Sequence, residues 1–314
     1  MKDQGMLRGL HPAAKLFALV GIIFSSFLII FFIGIFIATF FFDMSSLSDI
    51  MEGKYTIDDS GVIGFNKYIQ LVSHLGLFII PAFVFAWLIG GKIAEYLMIN
   101  IKPDLRQVFL GICLIFVSLP FINFLVQINM QLSLPSFMES IEGWMVNSEE
   151  AAEKLTKKFL SVDSTRGLLL NIFIIAVIPA IGEELIFRGA LLKTLGQWTR
   201  NAHIAIWLSA FIFSAVHFQF FGFLPRLFLG ALFGYMVIYS GSLWVAIIAH
   251  FANNAAAVIA YYFLYNDMTE IKLEEIGSGH SGSYLVVLSI LLITVLLFIY
   301  WKIGKLKEAE TKYL

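Results

Sequence analysis

The chain has 314 residues, of which 59% are hydrophobic and 14% charged, and its mean hydropathy of +0.86 places it outside the soluble globular class and among polytopic membrane proteins. A formal charge of −1 without a Lys/Arg cluster excludes a basic nucleic-acid surface. The single cysteine, Cys113 in "GICLIFV", excludes an intrachain disulfide or a thiolate metal cluster and reads as helix packing.

A bilayer core of about 30 Å takes about 20 apolar residues per helix. Runs of that kind predict eight spans, at about 16–42, 68–89, 107–128, 167–187, 203–220, 225–240, 243–265 and 283–301. The first follows Lys2, Arg8 and Lys15 and is longer than a signal-peptide core, so it reads as a retained span. Between spans three and four, 134–160 sets Leu134, Phe137, Met138, Ile141, Trp144 and Met145 at helical spacing against Glu and Lys, which predicts an amphipathic helix on the membrane surface. A connector that shields the bundle is favoured there over a substrate-facing lid. Lys92, Lys102, Arg106, Lys193, Arg200 and the basic residues after span eight fall on the same side as the N-terminus. The acidic residues Asp43, Asp49, Glu52, Asp58 and Asp59, with Asp267, Glu270, Glu274 and Glu275, fall on the other. Both termini are thus expected in the cytoplasm of a multi-pass protein of a bacterial cell (inner) membrane. The expected organisation is 1–130 as three accessory spans, 131–164 as an extracytoplasmic amphipathic connector, 165–266 as a catalytic core, and 267–314 as a loop, a last span and a basic tail. The fold class is an all-α bundle of about eight spans with a polar intramembrane cavity.

Ionisable side chains concentrate in 165–266. In "IGEELIFRGA", Glu184 and Arg188 are i and i+4 and can neutralise each other, whereas Glu183 points about 100° away on the helix. Pro179 and Gly182 upstream can kink the helix and free backbone carbonyls. Phe213 and His217 follow four apart on span five, then His250 and Asn254 four apart on span seven, with Asn253 turned away. A carboxylate, two imidazoles and an amide on three helices are what a water-activating hydrolytic site needs: a base, an orienter and oxyanion donors. His74, alone in "LVSHLGLF", reads as a helix-packing or cavity residue rather than a catalyst. Gly230 and Gly234 in "GALFG" point to close packing of span six.

Glu183-Glu184-x-x-x-Arg188, Phe213-x-x-x-His217 and His250-x-x-x-Asn254, in this order on successive spans, resemble the three motifs of the CPBP family, the CAAX proteases and bacteriocin-processing enzymes also called Abi. The resemblance covers about 165–266. It implies an intramembrane endopeptidase in which Glu183 and His217 activate water, His250 and Asn254 stabilise the oxyanion, and Glu184, Arg188 and Phe213 support them. The implied partners are the bilayer and a membrane-associated protein or peptide substrate. The favoured reading requires no cofactor, and the alternative is a zinc ion held by Glu183, His217 and His250. No H-E-x-x-H, G-x-G-D or G-x-S-G occurs, which argues against the zinc, aspartyl and serine intramembrane protease types; "SGSL" at Ser242 and "HSGS" at Ser281 lack the serine pattern. The competing function is a non-catalytic scaffold or immunity protein, or a transporter with a polar helix cavity.

Overall fold

The computed structural model describes residues 5–42, 60–277 and 282–312. Lys2, the acidic residues of 43–59 and the "HSGS" serine, Ser281, lie outside them.

Every regular element among the described residues is helical. Seven helices are long and apolar enough to cross a membrane: α1 Pro12–Ala38, α2 Gly61–Gly90, α3 Leu105–Met130, α5 Thr165–Thr199, the stretch Phe220–Ser240, α8 Leu243–Tyr265 and α9 Ser283–Lys305. Within Phe220–Ser240, α7 is the α-helix Phe223–Ser240. The amphipathic connector is α4, Glu139–Leu160, and the shorter apolar helix α6, Ala202–Ala215, completes the eight expected hydrophobic segments. The protein is therefore a multi-pass membrane protein. Its lipid-facing surface is visible on α1, where Phe17, Phe24 and Phe32 stand outward, uncovered by any helix among the described residues.

Two boundaries differ from the expected ones for identifiable reasons. The fourth span does not end near 187: α5 runs on to Thr199 through two π-helical turns, Ile172–Val177 and Leu185–Leu191. The fifth does not reach 220, because α6 stops at Ala215 and the chain turns through Phe218, whose φ is 52°.

Prolines account for part of this geometry. Pro179 has no N–H, so the carbonyl of Ile175 loses its α-helical donor, and a π-helical turn sits just upstream. In α2 the same arrangement recurs, with the π-helical turn Leu75–Ile79 preceding Pro81.

The chain ends of the bundle sort onto two faces. On one, Leu7 N donates to Leu88 O at 2.9 Å, Trp244 Nε1 to Ile99 O at 2.8 Å and Ser242 Oγ to Ile101 O at 2.7 Å, tying the N-terminal segment to α2 and the α2–α3 connection to the α7–α8 turn. On the other, Asn123 donates to Leu273 O and Ile276 O, both at 2.8 Å, and Asn266 donates to Val162 O at 3.0 Å. The loop after α6 belongs to this second face. Asn129 at the end of α3 holds it with both ends of its amide, donating to Phe220 O and accepting from Leu224 N, each at 2.7 Å. Helix α4 reaches the same loop through Trp144 against Phe220, with ring centroids 5.6 Å apart, and through Glu149, which accepts from Phe221 N at 3.4 Å.

Candidate active site

Glu183 and Glu184 end the α-helical segment Ile178–Glu184 of α5, directly before its second π-helical turn, and both are buried. Their surroundings differ. Glu184 Oε1 accepts from Arg188 NH1 at 2.8 Å, as the i, i+4 spacing predicts, and also from His250 Nδ1 at 2.9 Å. The second bond was not legible in the spacing, and it makes Glu184 a link between the ion pair and a motif histidine. Arg188 spends NH2 on the carbonyl of Gly230 at 2.7 Å, and its guanidinium lies 4.7 Å from the Phe213 ring centre and 5.4 Å from that of Phe233.

Helix α7 can offer that carbonyl because it packs closely on α6. A Cβ on Gly230 would stand 3.1 Å from Ala210 Cβ, and one on Gly234 would stand 2.9 Å from Ile206 Cγ2. The "GALFG" stretch is thus a close-packing face, as its composition suggests. It also carries Phe233, which stacks on His250 at 4.9 Å with the planes 16° apart. Sequence reasoning missed this ring.

Glu183 faces three imidazoles. Its Oε2 lies 4.0 Å from His217 Nε2 and 3.8 Å from His250 Nε2, while its Oε1 lies 3.6 Å from His74 Nε2. His217 is not within a helix, contrary to the expected span five, but on the turn after α6. Early termination of α6 is what allows it to meet His250 at one carboxylate. Phe213 stays on the helix and packs edge-on against His217, with centroids 4.9 Å apart.

Each of the three histidines has its other nitrogen fixed. His217 Nδ1 lies 2.7 Å from Phe213 O, His74 Nδ1 lies 2.9 Å from Gln70 O, and His250 Nδ1 lies 2.9 Å from the Glu184 carboxylate. A carbonyl or a carboxylate only accepts, so all three Nδ1 atoms carry a proton, and all three Nε2 atoms face Glu183.

His74, read from its lone setting as a helix-packing or cavity residue, faces the polar cavity at Glu183. It is on α2, outside the motif-bearing segment, and reaches Glu183 because α2 crosses α5 where Gly182 has no side chain; a Cβ there would stand 2.9 Å from Phe78 Cβ. The available signal was the pair of small or kinking residues, Pro179 and Gly182, beside the glutamates. Nothing in the sequence said which helix would fill that gap.

Asn254 donates Nδ2 to Ile175 O at 3.3 Å, the carbonyl that Pro179 leaves without its α-helical donor. Asn253 does not turn away from it, as the expected helical face implied, but donates to its Oδ1 at 3.1 Å. Among the described residues, no group of three or more His, Cys, Asp or Glu side chains has the arrangement of a metal centre. Burial is graded across the cluster: the side chains of Glu183 and His250 are 8% and 6% exposed, those of His74 and His217 are 17% and 27% exposed. His217 therefore marks the side most open to the outside.

The fold and site define a polytopic membrane protein with a carboxylate–imidazole centre inside its helix bundle. Over the segment that builds most of this centre, residues 165–256 match the family described as type II CAAX prenyl endopeptidase Rce1-like, in agreement with the resemblance carried by the three motifs. The chain is also 30% identical over 89 residues to "Uncharacterized protein YpbD" of Bacillus subtilis (strain 168), a match covering 27% of this chain and 42% of that protein. It thus spans under half the length of this curated relative. No solved structure matches the chain.

Proposed function

We propose that the protein is an intramembrane endopeptidase that hydrolyses peptide bonds of membrane-associated proteins or peptides with water activated at Glu183. The observation that carries this reading is the convergence of three Nδ1-protonated imidazoles on one buried carboxylate. Gaps of 3.6–4.0 Å are longer than a hydrogen bond. A water bonded at about 2.8 Å to both a carboxylate oxygen and an Nε2 atom bridges such a gap.

In the proposed reaction Glu183 Oε2, with His217 Nε2 as co-acceptor, takes a proton from this water. The water oxygen bonds to the scissile carbonyl carbon and the carbonyl π electrons move to oxygen. His250 and Asn254 stabilise that oxyanion: His250 enters and leaves the reaction as an imidazolium, its Nδ1–H staying on Glu184 and its resident Nε2–H turned to the oxyanion, and Asn254 uses its second amide N–H. Collapse of the intermediate breaks the C–N bond, and the proton held at the carboxylate goes to the leaving amine. No metal enters this scheme. Mass spectrometry of cleavage products after co-expression with candidate membrane substrates tests it: products should form with the unmodified protein and vanish with Glu183→Gln.

His74 belongs to the same scheme as the group that holds Oε1 through a second bridging water, which donates to Oε1 and to His74 Nε2 and leaves Oε2 for the reacting water. Displacing a catalytic group by about 1 Å costs up to about a hundredfold in rate, so His74→Leu is expected to lower turnover toward that extent. His74→Gln, whose amide oxygen can still accept from that bridging water, should retain more. Equal turnover of His74→Leu and the unmodified protein would return His74 to a packing role.

Orientation follows from charge. Arg8, Lys92, Lys102, Arg200 and Lys302 flank the connections of one face, and basic connections remain in the cytoplasm. Reporter fusions after residues 100 and 310 should read cytoplasmic, and fusions near 60 and 275 external. An external C-terminus would overturn the count of eight membrane segments.

A further inference from the structure

A second polar site lies on the basic face of the bundle. A cleft of about 1080 Å³ is bounded by the N-terminal segment, the start of α1, the end of α2 with the helical turn Ile93–Tyr96, and the end of α5. It is separate from the glutamate–histidine centre, since Lys193 follows Glu183 by ten residues, about 15 Å along a helix. Four cations line it, Arg8, Lys15, Lys92 and Lys193, against one acid, Glu95. That acid is already engaged, because Lys92 Nζ donates to Glu95 Oε1 at 2.8 Å.

Lys15 and Lys193 are held inward by neutral groups. Lys15 is only 8% exposed, and its Nζ donates to Gln197 Oε1 at 3.0 Å. Lys193 Nζ donates to the Tyr96 carbonyl and lies 4.9 Å from the centre of the Tyr96 ring. Burial pushes the Tyr96 phenol up to about 12, against the lowering effect of its bond with Thr194, so this ring supplies no charge at neutral pH. Among the described residues no carboxylate pairs with Lys15 or Lys193. Spacing makes the arrangement a built one: Lys193 and Gln197 are i and i+4 on one face of α5, and Gln197 orients the lysine of α1 toward the same cleft.

A buried ammonium with one neutral acceptor is left with two N–H donors and an unbalanced charge. A phosphate group answers both needs with several acceptor oxygens and a negative charge. At this face of the bundle phosphate is presented by phospholipid headgroups, and basic pockets between helix ends recruit the anionic ones. Helix α1 supplies the path for the acyl chains, since Phe17 and Phe24 stand 81% and 63% exposed on its outer surface. We infer that the cleft binds the phosphate of an anionic lipid headgroup, with Lys15 and Lys193 as its contacts and Arg8 at its rim.

The test is lipid retention by the full chain in neutral detergent, read by native mass spectrometry after exchange against equal amounts of phosphatidylglycerol and phosphatidylcholine. Phosphatidylglycerol should be retained severalfold over phosphatidylcholine. Lys15→Met and Lys193→Met should each abolish that preference, Lys15→Arg should keep it, and Lys102→Gln, which removes an exposed cation outside the cleft, should leave it unchanged. Thermal unfolding of each variant separates lost binding from lost folding, and Lys193→Met is the informative variant if Lys15→Met does not fold. Equal retention of the two lipids, or an equal effect of Lys102→Gln, overturns the proposal. Lysine-dependent binding of inorganic phosphate or pyrophosphate without lipid preference overturns it in favour of a soluble phosphate ligand.

Discussion

Glu183→Gln is expected to reduce cleavage at least about a thousandfold, the order of loss when a general base is removed, while changing folding stability by less than about 1 kcal/mol. The stability half of this expectation comes from contacts. The Glu183 carboxylate is 3.6–4.0 Å from its three imidazole neighbours, so the isosteric amide forfeits no short hydrogen bond with them. It also removes a buried negative charge whose desolvation opposes folding. The activity half comes from chemistry, since an amide cannot take a proton from water and hand it to a leaving amine. Thermal unfolding of the purified variant and product mass spectrometry on a verified substrate check the two halves separately. Undiminished cleavage by Glu183→Gln would sink the mechanism and favour a scaffold or transporter, which tolerates neutralisation of this residue.

The parts of this arrangement legible in the sequence are those that depend on spacing along one helix. Glu184 and Arg188 pair because residues four apart stack on a helix face, and the amphipathic pattern of 134–160 yields α4 for the same reason. What escaped depends on how helices cross. His74 sits in a span without a motif, and its contact with Glu183 exists only because α2 approaches α5 at Gly182. The bond from His250 to Glu184 joins residues 66 apart in sequence and required knowing that α5 and α8 are neighbours. Backbone irregularity was the third gap. Pro179 signalled a distortion, but not that it would appear as a π-helical turn with Asn254 donating to the carbonyl it frees. Likewise His217 looked helical by its offset of four from Phe213. Because α6 has already ended, the Phe213 carbonyl is met by the His217 ring Nδ1 at 2.7 Å, while the His217 backbone N–H turns to Ser214 O.

Glu184→Gln is expected to lower stability by roughly 3 kcal/mol or more, the cost of leaving one member of a buried ion pair uncompensated. Glu184 and Arg188 are 0% and 1% exposed, so solvent cannot screen the arginine left behind. The amide nitrogen adds to the cost, because Glu184 Oε2 is buried without a hydrogen-bond partner among the described residues and a donor placed there would be unsatisfied. Turnover should fall but survive in the folded fraction. The remaining amide oxygen can still accept from His250 Nδ1 and hold its tautomer, unlike the loss at Glu183. Replacing both charges, Glu184→Gln with Arg188→Met, should recover part of the stability by removing the stranded cation. Recovery will be incomplete for two reasons visible at Arg188. Its bond to the Gly230 carbonyl is worth about 1–3 kcal/mol when a buried acceptor is left unmade, and its contacts with Phe213 and Phe233 add about 0.5–2 kcal/mol. The expected order of unfolding temperatures is therefore unmodified protein, double variant, Glu184→Gln. A double variant less stable than Glu184→Gln would show that Arg188 is held mainly by Gly230 and the two rings rather than by the carboxylate four residues before it.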